Sequence, residues 1–220
     1  MQVIRDRDAV LAVLHDPAFV VPPVPPASSG VAWLRATVGR FSEGESHERR
    51  RALSVAALGT IALDRLRTPH DDHPVAVLAR ATGAPDGVVD LVRDVAQAYQ
   101  PGAGDSARAD WAVGRLVARL GGAFDEPTAA RIGVLVQACE PTAALIDKAR
   151  HRAVDAVLRD DPPVPATRRQ ALVARTVGDV TVAAGEVVRV ALAGDLAFGA
   201  GPRRCPGRDH ALALVEGALA

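Results

Sequence analysis

The stretch FGAGPRRCPG, Phe198 to Gly207, places one cysteine among glycines, prolines and arginines, directly before an apolar segment that predicts a helix from about Asp209 to the end. At a helix N-terminus, unpaired backbone N–H groups and the positive end of the helix dipole stabilise a negative ligand. Such surroundings favour the thiolate form of a cysteine over the thiol. The sequence therefore predicts a thiolate site at Cys205.

The neighbours of Cys205 suit a large flat partner. Gly199, Gly201 and Gly207 let the backbone pass close to such a partner, Phe198 can pack on its face, and Arg203 can neutralise an acidic substituent. A haem meets these conditions. For an isolated cysteine, a buried structural role after a glycine turn is the commoner interpretation. The residues of this stretch alone leave both interpretations open.

The same stretch resembles the cysteine-ligand loop of cytochrome P450, with the phenylalanine, glycine, arginine, cysteine and final glycine in register. The resemblance implies a haem b whose iron is bound by the Cys205 thiolate, with Phe198, Gly201, Arg203 and Gly207 beside it. It also implies a mainly α, reduced P450-like fold with a small β-hairpin or sheet element. We expect that fold to form one haem-binding domain over residues 1–220.

Two further segments extend the resemblance. SHERRRAL, Ser46 to Leu53, is similar to the family's C helix, which implies that His47 and Arg51 bind the haem propionates from one face of a helix. DPPVPATRRQAL, residues 161–172, followed by VTVAAGEVVRV, residues 180–190, resembles the sheet from which an arginine, here Arg169, reaches a propionate. The resemblance thus implies that three basic side chains converge on two carboxylates.

The long periodic segment Pro127 to Arg150 is similar to the family's I helix, in which an acid followed by a threonine delivers protons to bound dioxygen. Aligning Glu140 as the acid places Pro141 at the threonine position and Thr142 one residue late, so that its hydroxyl is rotated by about a quarter-turn. The resemblance makes Glu140 and Thr142 the candidate catalytic residues. An interior proline also predicts a kink at Pro141.

The chain departs from the family in length. The resemblance implies loss of the N-terminal sheet and helix, much of the middle helical region, the meander before the cysteine loop, and the C-terminal sheet. The Glu-x-x-Arg pair that anchors the meander falls on Ala156 and Arg159, so the glutamate is missing, and Asp155 is an imperfect substitute. We expect a more open distal face that admits larger or carrier-bound substrates.

Periodicity and turn residues predict the local structure. Val20–Gly30 is a proline-rich loop, and Thr176–Val190 is a hairpin broken by AAGE. The predicted helices cover residues 6–15, 46–58, 75–82, 86–99, 106–120, 127–150 and 153–158, with the last one from about residue 209.

Composition limits the classes of protein that need to be considered. The 220 residues are 49% hydrophobic, 3% aromatic and have zero formal net charge, which suits one sizeable core and argues against a nucleic-acid surface. The N-terminus is charged where a signal peptide needs an apolar core, and no uncharged run reaches the length of a membrane span. We expect a cytoplasmic protein without a membrane helix, in which Cys139 and Cys205 are thiols.

Two classes of function remain. The first is a truncated haem-thiolate enzyme that carries out a hydroxylation, a peroxygenase-type oxidation or a redox-neutral haem-assisted step on a small organic molecule, in secondary metabolism. Its electrons would come from a ferredoxin-type donor, since the chain has no flavin or iron–sulfur motif, or its oxidant would be peroxide. The second is a non-catalytic relative, haem-binding or haem-free, that acts as a partner of another enzyme. A homodimer is an open expectation for either class.

Overall fold

Ten α-helices and six short strands build the chain in a computed structural model that describes all 220 residues. The strands are β1 (Val3–Ile4), β2 (Phe19–Val20), β3 (Ala166–Ala171), β4 (Arg175–Val177), β5 (Val180–Val182) and β6 (Val187–Ala191). The helices are α1 (Arg7–His15), α2 (Gly30–Thr37), α3 (Gly44–Gly59), α4 (Leu63–Arg67), α5 (Pro74–Ala81), α6 (Val89–Ala98), α7 (Ser106–Leu120), α8 (Glu126–Ala149), α9 (Val154–Asp160) and α10 (Arg208–Leu219). The fold is mainly α with a small sheet, as the sequence predicts.

The contacts divide the chain into two compact units. The first unit comprises Met1–Pro23 and Arg152–Cys205, and the second comprises Val24–His151 and Pro206–Ala220. Each unit has its own cluster of buried apolar side chains. The expectation of one domain over residues 1–220 therefore stays a prediction.

The first unit is built on a four-stranded sheet in the order β1-β6-β3-β2. Strands β3 and β6 are antiparallel with Arg169 opposite Val188, and β1 joins β6 in parallel. Val188 and Val190 of β6 are fully buried together with Val10 and Val13 of α1, so α1 covers this sheet. The two N-terminal strands correct the expected loss of N-terminal sheet. They have two residues each, too few for an alternating pattern to reveal them.

The predicted hairpin over Thr176–Val190 is wrong in the position of its turn. Strands β4 and β5 pair around Gly178 and Asp179, and Gly178 has a φ of 56°. A two-residue turn of this kind needs a positive φ, which glycine adopts at low cost. The AAGE segment instead leads into β6, which pairs with β1 and β3 rather than with β5.

The second unit is arranged around α8, which packs against α2, α3, α5, α6, α7 and α10. Five consecutive residues of α8, from Ile132 to Val136, are buried, so this part of the helix is covered on all sides. The helix continues through Pro141 without interruption, and the kink expected there stays a prediction. By length and composition α8 is also long and apolar enough to cross a membrane, but 56% of its most apolar window is buried inside the protein. This burial is typical of a central core helix.

All eight predicted helices are confirmed in position, whereas α2 and α4 were not predicted from the sequence. The start of α2 has no local capping signal, because Ser29 makes no side-chain bond to the helix. The Val31 N–H instead donates to Asp110 Oδ1 at 2.7 Å, a residue 79 positions away. A helix end that is satisfied by so distant a residue leaves no mark in the adjacent sequence.

One ion-pair network joins the start of α8 to α3. Arg49 donates to both carboxylate oxygens of Glu126, at 2.8 and 2.9 Å, and Arg50 Nε donates to Oε1 at 2.8 Å. These bonds lower the pKa of Glu126 to about 2, with Arg49 the largest cause. We name Arg49, Arg50 and Glu126 the α3–α8 network.

Acid should weaken the fold through Glu126. Because its folded-state pKa lies below the unfolded value, the unfolded chain binds a proton first as the pH falls from about 5 to about 2. The stabilisation is present above that range and is lost within it. After allowance for the solvent exposure of Arg49, it is about 2 kcal/mol. Urea unfolding should show that Glu126→Gln destabilises the protein at about pH 6.5 and much less at about pH 3. An equal difference at both pH values would contradict this assignment.

The hydroxyl of Tyr99 is buried without a hydrogen-bond partner, and its burial raises the pKa of Tyr99. The ring meanwhile packs edge-on against Phe41, with 5.5 Å between centroids. Tyr99→Phe keeps this ring contact and removes the desolvated hydroxyl, so the free energy of unfolding should rise by about 1 kcal/mol. Equilibrium urea denaturation measures the change. A clear loss of stability would mean that the hydroxyl has a partner in solution.

Candidate functional site

The loop that carries Cys205 closes on itself. The Cys205 backbone N–H donates to the Phe198 carbonyl at 2.8 Å, and the Gly199 N–H donates to the Leu196 carbonyl at 2.8 Å. Gly199 and Gly201 have φ values of 72° and 65°, which side-chain-bearing residues rarely adopt. The loop presents Cys205 as an exposed residue three positions before α10 begins. The structure thus rejects the buried structural role that an isolated cysteine would ordinarily have.

Gly201 has a structural reason to be glycine. A Cβ at this position would lie 2.8 Å from the Leu14 carbonyl oxygen, at the end of α1. Gly207 differs, because a Cβ there would lie 3.7 Å from Leu58, an ordinary contact distance. Close packing on α1 therefore accounts for Gly201, and the predicted approach of both glycines to a flat partner stays a prediction.

Arg169 lies in β3 and is only 5% exposed. Its Nη1 donates to Thr167 Oγ1 at 3.0 Å and to the Arg168 carbonyl at 2.8 Å. A buried guanidinium has five donors and requires acceptors, preferably anionic ones, to offset its desolvation. The burial of Arg169 fits the role of a carboxylate ligand.

Helix α3 carries His47 and Arg51 four residues apart, hence on one face. His47 is 8% exposed and Arg51 is half-buried. Across the whole helix only His47 and Leu58 are buried, so apolar packing holds the first half of α3 weakly. Glu126, which ties that half of the helix to α8, belongs to no motif that indicates a site. Its only local signal is the helix start Asp125-Glu126-Pro127.

The two candidate catalytic residues of α8 differ in exposure. Glu140 is exposed, whereas Thr142 is 3% exposed. Cys139 beside them is fully buried, and its thiol lies 3.8 Å from Glu140 Oε1. Burial first, and then the charge of Glu140, raises the pKa of Cys139 to about 12. Of the two cysteines, only Cys205 is therefore placed to act as a thiolate.

In α9 the arginine of the incomplete Glu-x-x-Arg pair has a different partner. Arg159 forms its ion pair with Asp160 at 3.0 Å, and Arg152 binds the same carboxylate at 2.7 Å. Asp155 is exposed, and Asp160 instead holds Arg159. The helix still packs against the short 3-10 turn Gly194–Leu196 before the cysteine loop.

The predicted site residues fall into both units. The first unit holds the sheet arginine and most of the cysteine loop, namely Arg169, Phe198, Gly201, Arg203 and Cys205. The second unit holds the α3 pair, the α8 pair and the glycine before α10, namely His47, Arg51, Glu140, Thr142 and Gly207.

The donor set fits a metal that brings its own ligands. No group of three or more His, Cys, Asp and Glu side chains is placed to hold a metal ion. A haem iron needs only one or two axial protein ligands, and its two carboxylates need cations. The first unit offers an exposed thiol and a buried arginine, and the second unit by itself offers a buried histidine with an arginine one turn away.

Neither family models nor curated proteins match the chain. Solved structures do. The match to P450BioI, crystallised in complex with hexadec-9Z-enoic acid ligated acyl carrier protein, has a TM-score of 0.71 and 17% identity over 98% of this chain and 83% of that chain. Cytochrome P450 TxtC, which hydroxylates thaxtomin, matches with a TM-score of 0.66 and 16% identity over 99% and 83% of the two chains. The cytochrome P450 enzyme CxnD, for C–S bond formation in chuangxinmycin biosynthesis, matches with a TM-score of 0.66 and 16% identity over 99% and 78%.

These matches span nearly the whole of this chain, with TM-scores of 0.66 to 0.71. The cysteine loop, the α3 pair and the β3 arginine stand in the order that the resemblance requires. The chain has the cytochrome P450 fold.

Proposed function

We propose that this protein is a haem-thiolate enzyme of reduced size, with Cys205 as the axial ligand of a haem b. The observation that carries the proposal is the closed loop that holds Cys205 exposed, with its N–H bonded to the Phe198 carbonyl, within a P450 fold. When bound, haem supplies an iron centre whose thiolate ligation favours cleavage of O–O bonds. A scaffold without a cofactor has no use for such a cysteine.

The remaining cofactor contacts follow from charge and burial. Arg169, His47 and Arg51 would neutralise the two haem carboxylates, and the two buried members, Arg169 and His47, would bind them away from water. Phe198 would pack against the ring, and Arg203 would add positive charge beside it. Gly201 and Gly207 complete the loop.

The proton path would involve α8. Glu140 is exposed, and we propose it as the general acid or base of the reaction. Thr142 is buried one position beyond the place where the family carries its hydroxyl, and Pro141 occupies that place. We propose that this arrangement favours peroxide as oxidant, or a redox-neutral step, over the reductive activation of dioxygen. A dioxygen-dependent reaction would draw electrons from a ferredoxin-type donor.

The substrate we propose is a small organic molecule of secondary metabolism, free or attached to a carrier protein. Structural neighbours that act on thaxtomin, form a C–S bond in chuangxinmycin biosynthesis, or bind an acylated carrier protein support this class. We further propose a cytoplasmic location, with α8 buried as a core helix rather than spanning a membrane. A homodimer is compatible with this proposal.

Absorption spectroscopy tests the cofactor. The protein reconstituted with haemin, reduced with dithionite and exposed to carbon monoxide should show the red-shifted Soret band of thiolate-ligated haem. Cys205→Ala should abolish that band, whereas Cys139→Ala should keep it because the Cys139 thiol is buried and its pKa is about 12. A wild-type protein that refuses haemin would overturn the proposal and leave a haem-free partner of another enzyme.

Replacing Pro141 tests the altered proton path. Pro141→Thr restores a backbone N–H in α8 and places a hydroxyl at the position of the family's threonine, so dioxygen-dependent turnover should rise roughly tenfold or more. O-dealkylation of 7-ethoxycoumarin serves as the probe, driven by ferredoxin and its reductase or by hydrogen peroxide. Pro141→Ala is the matched control, since it restores the N–H without the hydroxyl. Equal rates for the two variants, or an equal rise with peroxide, would refute the role of the hydroxyl.

A further inference from the structure

The α3–α8 network accounts for only two of three consecutive arginines. Glu126 binds Arg49 through two bonds and Arg50 through one, while Arg51 lies on the face of α3 that carries His47. The Arg50 side chain is 19% exposed and that of Glu126 is 25% exposed, so this pair is well shielded from solvent. A partly buried ion pair with near-ideal hydrogen-bond geometry stabilises one orientation of its side chains more strongly than an ion pair at the surface does.

Arg50 also joins α3 to the segment before it. Its Nη1 donates to the Ala36 carbonyl at 2.8 Å and to Ser42 Oγ at 2.5 Å. The Ser42 hydroxyl in turn donates to the Val38 carbonyl at 2.8 Å. The Arg50 guanidinium thus bridges the end of α2, the turn after it and the first turn of α8.

The backbone supplies a second restraint at the same place. A Cβ at Gly39 would lie 3.2 Å from the Arg51 backbone nitrogen, so the turn between α2 and α3 rests directly on the backbone of α3. Apolar burial adds little here, because between Gly44 and Leu53 only His47 is buried. The rotation of this half of α3 about its axis is therefore set by Glu126, Arg50 and the turn at Gly39.

From this geometry we infer that Glu126 is a positioning residue for the cofactor. By holding Arg49 and Arg50 it fixes the rotation of α3, and so directs His47 and Arg51 toward the carboxylates of a bound porphyrin. It also keeps the two neighbouring arginines from competing for those carboxylates. The inference rests on the proposed haem function and adds a selectivity for porphyrins with free carboxylates.

Two porphyrins separate positioning from general stability. Haemin carries free carboxylates, and haemin dimethyl ester has the same ring and iron without them. Titration followed by Soret absorbance should show that Glu126→Gln weakens haemin binding about tenfold and the ester less than about twofold. Asp94→Asn is the matched control. It removes a carboxylate that is even more shielded than Glu126, 12% exposed and 2.7 Å from Arg108, between α6 and α7. This control should leave the affinity for both porphyrins unchanged.

Equal weakening of both porphyrins by Glu126→Gln, or none for haemin, would overturn the inference. If that variant does not fold, Gly39→Ala is a milder substitution. Its added methyl group would press on the Arg51 backbone nitrogen from the turn before α3. It should reduce haemin affinity about threefold and spare the ester. Equal effects of Gly39→Ala on both ligands would likewise overturn the inference.

The wild-type protein separates the inference from the proposed function. If it binds the two porphyrins equally and keeps its Cys205-dependent spectrum, carboxylate recognition is refuted but the haem function is not. Binding of neither porphyrin would refute the proposed function itself.

Discussion

The middle of α8 is apolar on every face and has to be covered on every face, and this constraint shapes the second unit. Its buried run from Ile132 to Val136 leaves no side for solvent, so six helices surround it. Gly133 lets α8 approach Val38 after α2, since a Cβ there would lie 3.0 Å from a Val38 methyl group. The positions of α2, α3 and α10 all follow from contact with α8. Residues that bind or react can be placed accurately in this unit because the central helix is fixed from all directions.

Ion pairs hold the first half of α3 in place, and apolar burial holds its second half. Near its end Leu58 is buried in the core, and the His210 ring lies 3.0 Å from the Leu58 carbonyl. Near its start charged contacts replace apolar ones. A helix held in this way exposes much of its surface yet keeps a defined rotation, which suits an element that must present cations to a ligand. Apolar packing alone would bury the face that the ligand needs.

The sequence predicted the long helices and the cysteine loop because their signals are local. Periodicity marked α7 and α8, and the fixed residue types from Phe198 to Gly207 marked the loop. It did not predict β1, β2 or α2, because two-residue strands have no alternation and α2 is capped by Asp110 from α7. For the site, residue identity indicated His47, Arg51 and Arg169. The contribution of Glu126 depends on a contact 77 positions away in sequence, which no local pattern reports.

The first unit is held together by contacts between residues that lie far apart in sequence. Strand β1 pairs with β6, and Arg7 of α1 binds Asp195, 188 residues later. The end of α1 meets Gly201 through the Leu14 carbonyl, so the loop of Cys205 rests on a helix that lies far from it in sequence. Contacts of such long separation form slowly, because a large loop must close before they stabilise anything. In chain order, the segments that β1 and α1 contact come near the end of the sequence, whereas most helices around α8 contact segments closer to them. The long-range support of the Cys205 loop thus depends on contacts that close the largest loops in the first unit.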